Sequence, residues 1–385
     1  MIAFFPFKYL CFLLLCAIHA TVDFKLSIVM TPEIITFDIS NLVKMITPPY
    51  LKPGDKVAIV ATARKVTPSE MEVAIQTFRA WGLQVVTGPH LFGANYQYSG
   101  TDEERASDLQ MMLDDQEVKA ILCARGGYGT VRIIDQLNFS TFEQHPKWIV
   151  GYSDITVLHS HINKQFGIET LHAIMPINFP DEGTQTAIET LRKVLFGETL
   201  EYNIATQPLN IPGNVSGVLT GGNLSILFSL AGSASDIQIE DKILFIEDLD
   251  EYLYHIDRMM MNLKRIGKLA GIRGLIVGGM TKMHDNTVPF GKQAEQIIAA
   301  YAQEAGIPVC FNFPAGHIAD NRALILGREI QLDIDQNGVL LKFISSSESA
   351  EFKNPLPKFL KPALYFLGFL GFIYLILYLI RLVLK

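Results

Sequence analysis

From residue 56 to residue 166 the chain alternates short apolar runs with longer amphipathic stretches, and this alternation limits the fold more than any other feature. Lys56 to Thr62 (KVAIVAT) is an unbroken run of the kind found in strands buried on both faces. A helical stretch, Ser69 to Trp81, follows with Pro68 near its start. Leu83 to Val86 reads as the next strand. Thr101-Asp102-Glu103-Glu104 has capping-box character and opens a helix to about Leu113. Strand Val118 to Ala124 ends in Arg125-Gly126-Gly127-Tyr128-Gly129, and a helix runs from there to about Leu137. Trp148 to Gly151 is a further strand, and a helix from about Asp154 to Phe166 follows Ser153. The pattern predicts an α/β fold with a parallel sheet and helices on both faces. Ligands of such sheets bind beyond the C-terminal strand ends, where Gly126-Gly127 and Ser153 fall.

The 385 residues suffice for two domains with cores of their own. Residues 45–180 form the predicted N-terminal α/β domain. A polar stretch, 181–212, with one helix near Gln185 to Phe196, reads as the crossing to a second domain at 213–345. That C-terminal domain reads as β-rich α/β. Its predicted strands are Gly217 to Thr220, Ile243 to Ile246 and Gly274 to Val277. Its helices follow Gly221-Gly222-Asn223 and span Leu253 to Ile266, and a β-rich part near Ala323 to Ile344 closes it.

Both ends differ from the middle. Residues 363–380 carry no charge, with Lys358 and Lys361 before them and Arg381 and Lys385 after. Roughly 20 apolar residues cross a bilayer core, so a transmembrane helix is predicted at 363–381, anchored behind a proline-containing linker at 346–362. Tyr9 to Ile18, after Lys8, resembles a signal-peptide core with a poor cleavage site. Alternatively translation starts at Met45, and residues 1–44 are an untranslated extension. The catalytic domain then faces the cytoplasm; with a working signal it faces outward. Net charge is −7 without any Lys/Arg-rich run, which argues against nucleic acid as a partner. Cys11 and Cys16 lie in the apolar N-terminal stretch. Cys123 and Cys310 lie in strand-like runs, so both read as small buried hydrophobes. No cysteine spacing suggests zinc or a disulfide framework.

Three short segments each offer one member of a Ser/Glu/His set. Gly151-Tyr152-Ser153-Asp154 places Ser153 between strand and helix, a turn that can expose a hydroxyl and aim the Asp154 amide at a developing oxyanion. The second glycine of the usual Gly-x-Ser-x-Gly elbow is missing, and Ser153 also fits a helix N-cap. Gly126-Gly127 permits close backbone approach, with the Gly127 N–H as a second oxyanion donor, or is an ordinary tight turn. No Gly-Lys-Ser/Thr follows, so it is not a phosphate loop. Glu247 ends an apolar strand and can orient a histidine; a solvated acidic loop or a cap for the next helix fits equally. His317 follows Pro314-Ala315-Gly316 on a loop, where an imidazole suits general-base work or lies at the surface. Such a set hydrolyses amides with neither metal nor cofactor, and none is expected. His159 and His161 are two apart on a helix and face different sides, which speaks against a metal pair. His172 and His284 have no partner pattern.

Taken together, seven pieces resemble the serine LD-carboxypeptidase family, the muramoyltetrapeptide carboxypeptidases. They are PPYLKPGDKVAIVA (48–61), SGTDEERASDLQ (99–110), ARGGYG (124–129), GYSDIT (151–156), LTGGNLSIL (219–227), FIEDLDEYLYHIDRMM (245–260) and FPAGH (313–317). Carried onto this chain, the resemblance implies Ser153 as nucleophile, Glu247 as acid, His317 as base, and the Gly127 and Asp154 amides as oxyanion donors. Gly126 would lie against the substrate. Arg125 is assigned either a substrate carboxylate or a structural role. The resemblance also implies a cleft between two domains, a homodimer, and release of the terminal D-alanine from a murein tetrapeptide. Thr62 stands where the family often has proline. Two rivals are an immunity peptidase acting on a toxic peptidyl or aminoacyl nucleotide, and a membrane-tethered murein-peptide binding protein without turnover.

Overall fold

Buried apolar runs can satisfy their backbone only by pairing side by side, and in this chain they pair into two extended sheets. The computed structural model describes residues 25–29, 34–38 and 45–344. Strands β1 (Lys25–Val29) and β2 (Ile34–Asp38) form an antiparallel ribbon, in a region where the sequence shows no convincing pattern. The first lobe then runs β3 (Lys56–Val60), α1 (Pro68–Ala80), β4 (Gln84–Thr87), α2 (Asp102–Asp114), β5 (Val118–Cys123), β6 (Trp148–Gly151), α3 (Thr156–Phe166) and β7 (Thr170–His172). Next come α4 (Gln185–Leu195), β8 (Glu201–Ile204), β9 (Gly213–Asn223), α5 (Leu224–Leu230), β10 (Ile243–Leu249), α6 (Leu253–Arg265), β11 (Gly274–Thr281), α7 (Ala294–Ala305) and β12 (Val309–Cys310). Strands β13 (Leu324–Leu326), β14 (Glu329–Ile334) and β15 (Val339–Phe343) complete it.

The helix starts are locally encoded. Thr67 with Glu70, and Thr101 with Glu104, close reciprocal capping boxes at α1 and α2. The stretch after Gly129 is shorter than the sequence suggests: one turn, Thr130–Ile133, then a 3-10 turn. The six-stranded sheet has the order β13-β7-β6-β5-β3-β4, parallel except for β13 against β7. The seven-stranded sheet has the order β12-β11-β10-β9-β14-β15-β8. It is parallel on the β12 to β9 side and antiparallel from β9 to β8.

The segment read as a plain crossing is built into both lobes. Ala187, Leu191, Val194 and Leu195 of α4 enter the core, and β8 pairs with β15 at the sheet edge. One apolar cluster runs through both lobes, joining Ile59, Phe78 and Trp148 to Leu219, Phe245 and Leu332. The lobes are therefore held in one register, and the ends of β5 and β6 face the end of β10 across a fixed cleft.

The fold class needs one correction. The two-sheet α/β architecture stands, but without the expected transmembrane helix: among the described residues no helix is long and apolar enough to cross a membrane. The longest have 13 residues, about 20 Å at 1.5 Å per residue, against a core of about 30 Å. The run at 363–381, the linker at 346–362 and the signal-like segment lie outside the described residues.

Candidate active site

Ser153 lies two residues past the end of β6, in the left-handed region with φ 62°. A non-glycine residue pays for that conformation, and such strain gathers at functional turns. The turn is tight: a Cβ at Gly151 would lie 2.8 Å from Ile155, so glycine is needed two positions earlier. The Ser153 hydroxyl caps no helix. It points instead at His317, with 3.0 Å from Oγ to Nε2.

His317 Nδ1–H donates to Glu247 Oε2 at 2.6 Å, which leaves Nε2 free to accept the Ser153 hydroxyl. Glu247 lies inside β10 and is fully buried, not in a solvated acidic loop. Gly316 makes the approach possible. Its φ is 104°, and a Cβ there would meet Glu247 Cβ and Oε2 at 2.7 Å. The Gly316 amide donates to buried Asn321 Oδ1 at 2.8 Å, pinning the loop. Tyr152 packs its ring edge-on against His317, 4.9 Å between centroids, and donates its hydroxyl to Asn178.

Burial disfavours the charged His317 ring, but the Glu247 charge and hydrogen bond outweigh it, so its pKa lies above the ordinary value. Asp248, next in β10, is pushed up to about 7 by burial and by the Glu247 charge beside it. Its carboxylate accepts from Asn223 Nδ2, Ser225 N–H and Leu249 N–H. Asp154 is also buried and raised, chiefly by desolvation; its Oδ2 accepts the Thr130 amide at 2.8 Å. This bond ties the turn after Ser153 to the turn after Gly126-Gly127.

Gly126 abuts the hydroxyl: a Cβ there would lie 3.2 Å from Ser153 Oγ and 3.4 Å from the Asp154 amide nitrogen. Gly127 (φ 116°) lies beneath the side chain of Arg64, and a Cβ would meet Arg64 Cγ and Cδ at 2.7 Å. Arg125 lines the same cleft, which has a volume of about 410 Å³. Its far wall includes Asn223, Asp248 and Asp250. Sequence reasoning missed Arg64, Tyr152, Asn223 and Asn178. Arg64, Tyr152 and Asn223 shared a usable signal, since they lie at or beyond the C-terminal ends of β3, β6 and β9 in parallel parts of the two sheets.

Three other histidines singled out in the sequence lie outside the hydrogen-bonded line of Ser153, His317 and Glu247. His159 Nε2–H donates to Gly151 O at 2.9 Å, and burial lowers its pKa to about 4. His172 is fully buried against Phe245 and held neutral, by burial first. His284, for which the sequence offers no partner, meets Asp250 Oδ1 at 2.5 Å. No group of three metal-ligating side chains occurs among the described residues.

A hydroxyl, an imidazole and a buried carboxylate in one hydrogen-bonded line, at the foot of an interlobe cleft, have the chemistry of an acyl-transfer hydrolase. Comparison with known proteins narrows that class. Residues 57–173 match the LD-carboxypeptidase N-terminal domain and residues 216–332 the LD-carboxypeptidase C-terminal domain. A probable murein peptide carboxypeptidase of Bacillus subtilis is 36% identical over 303 residues, covering 77% of this chain and 94% of that protein. The crystal structure of a muramoyltetrapeptide carboxypeptidase from Oxalobacter formigenes superposes with a TM-score of 0.69 at 24% identity, covering 75% of this chain and 99% of the other. The microcin C7 self-immunity protein MccF shares the fold, with a TM-score of 0.69 at 21% identity, over 77% of this chain and 98% of that one. The chain belongs to the LD-carboxypeptidase family and is a hydrolase acting on peptides.

Proposed function

We propose that the chain is a serine LD-carboxypeptidase that uses Ser153, His317 and Glu247 to release the terminal D-alanine of murein tetrapeptides. The observation that carries the roles is the continuous line from Ser153 Oγ through the His317 ring to Glu247 Oε2, at 3.0 and 2.6 Å. The substrate class follows the family and the relative from Bacillus subtilis. His317 Nε2 takes the Ser153 proton as Oγ attacks the carbonyl at the L-centre of the diamino acid. The oxyanion develops toward the Gly127 and Asp154 amides. Glu247 holds the Nδ1–H tautomer and stabilises the imidazolium. The imidazolium then protonates the departing amine, D-alanine leaves, and an acyl-enzyme remains on Ser153. His317 deprotonates water for the second half-reaction, and the acid product and free serine are restored.

The test is D-alanine release from L-Ala-γ-D-Glu-meso-diaminopimelate-D-Ala by the full chain, with Ser153→Ala as control. Release that falls by about four to six orders of magnitude in the variant supports roles and substrate together. Folded protein that releases nothing refutes the murein assignment and turns attention to nucleotide-linked peptides.

A further inference from the structure

The cleft holds two guanidinium groups whose role in the fold is not visible. Among the described residues, Arg105 and Arg132 share Asp102, Arg192 meets Glu189, Arg322 meets Asp320 and Arg328 meets Glu169. The Arg64 and Arg125 side chains meet no carboxylate and make no side-chain hydrogen bond among those residues, yet both line the cleft beside Ser153. Arg64 is the more exposed. Its backbone is nonetheless well placed: its amide donates to Gly126 O at 3.4 Å, and it bridges to Tyr98.

We propose that Arg64 binds the free α-carboxylate of the residue that leaves, and so restricts cleavage to a single C-terminal residue; this rests on the peptidase reading above. The argument is one of reach. Gly127 carries no side chain where the Arg64 stem crosses it, and the adjoining Gly126 abuts Ser153 Oγ. The Arg64 stem therefore runs beside the acylation point, and its side chain lines the same cleft as Ser153. In a peptide cut at its last bond, the terminal carboxylate lies two bonds from the departing nitrogen, so it enters the cleft close to Ser153, on the wall where Arg64 lies over Gly127. Carboxylates farther back in the peptide lie several bonds away on the acyl side, where Arg125 is the remaining cation among the cleft-lining arginines. The far wall, with Asp248 and Asp250, offers a carboxylate no cationic side chain, so the two arginines are its partners on the near wall. Arg suits the task because its planar fork bonds both oxygens of a carboxylate.

The experiment compares two substrates on the full chain: the tetrapeptide ending in D-alanine, and the same peptide ending in D-alaninamide. Product release is followed by mass spectrometry, and kcat/KM is measured for each. The native protein is expected to prefer the acid by about 100-fold or more, since a site built around a charged partner discriminates strongly against its loss. In Arg64→Gln that preference collapses to a few-fold, mainly through the acid substrate, and Arg64→Lys restores part of it. Arg125→Gln keeps it. A merely structural role for Arg64 would lower both rates and leave the ratio intact. A ratio unchanged in Arg64→Gln, in protein with native circular dichroism, overturns the role of Arg64 while the peptidase reading stands. Native protein that releases neither D-alanine nor its amide overturns that reading and the proposal with it.

Discussion

Ser153 and His317 carry the two most local signatures of the site. Ser153 is held at φ 62°, a conformation that costs a non-glycine residue about 1 kcal/mol or more. Ser153→Gly should therefore be more stable than Ser153→Ala by about 1 kcal/mol in chemical denaturation, while both lose activity. Equal stability would mean that the turn is unstrained. The His317 pKa is raised, with Glu247 overcoming burial. A general base must be neutral, so activity should rise with pH through a limb above 6.5, the ordinary histidine value. Glu247→Gln removes the charge while burial remains. The limb should then move to lower pH, and kcat should fall by about three to four orders of magnitude. A limb that stays in place in the variant refutes the coupling.

At the scale of elements, the second lobe docks on the helix that follows Ser153. Asn223 N–H, at the end of β9, donates to Thr156 Oγ1 at 3.0 Å, the first residue of α3. Gly222 (φ 141°) lets the strand come this close, since a Cβ would fall 2.5 Å from that same oxygen. Thr156→Val keeps the shape but leaves a buried N–H without its acceptor, so it should cost about 1–3 kcal/mol and loosen Ser153 against His317. A loss of stability with kcat untouched would show that this contact does not position the site. Strands β3 to β6 and helices α1 and α2 were legible, because their signals lie within one segment, whereas β7 and β13 of the same sheet were not read as its strands. Glu247 was misplaced at a strand end, as the apolar run stops at Ile246 while pairing continues to Leu249. The polar residues there are paid for by partners from elsewhere, Asn223 and His317, which periodicity does not record.

At the scale of the whole molecule, the lobes share one apolar cluster and an ion pair. Arg328, between β13 and β14, bonds buried Glu169 through Nε at 3.0 Å and Nη2 at 2.5 Å. Arg328→Met strands that carboxylate and should cost about 3 kcal/mol or more, read as a fall in the denaturation midpoint. Both tryptophans, Trp81 and Trp148, lie in the first lobe. A shared core predicts that tryptophan fluorescence and far-ultraviolet circular dichroism report one coincident transition. Separate midpoints would mean that the lobes unfold independently.

By itself the sequence determined the run of parallel strands β3 to β6 and the family resemblance, which made Ser153, Glu247 and His317 the candidates, because each is written in contiguous residues with a local physical cause. It also carried an apolar run read as a membrane span, which finds no counterpart among the described helices; hydropathy records a preference for leaving water, not what receives the segment. Only the tertiary structure decided that Ser153 and His317, 164 positions apart, are in hydrogen-bond contact, that Glu247 is buried, and that Arg64 lies over Gly127. Those are distances between distant segments, set by how two sheets share one core, and no spacing along the chain encodes them.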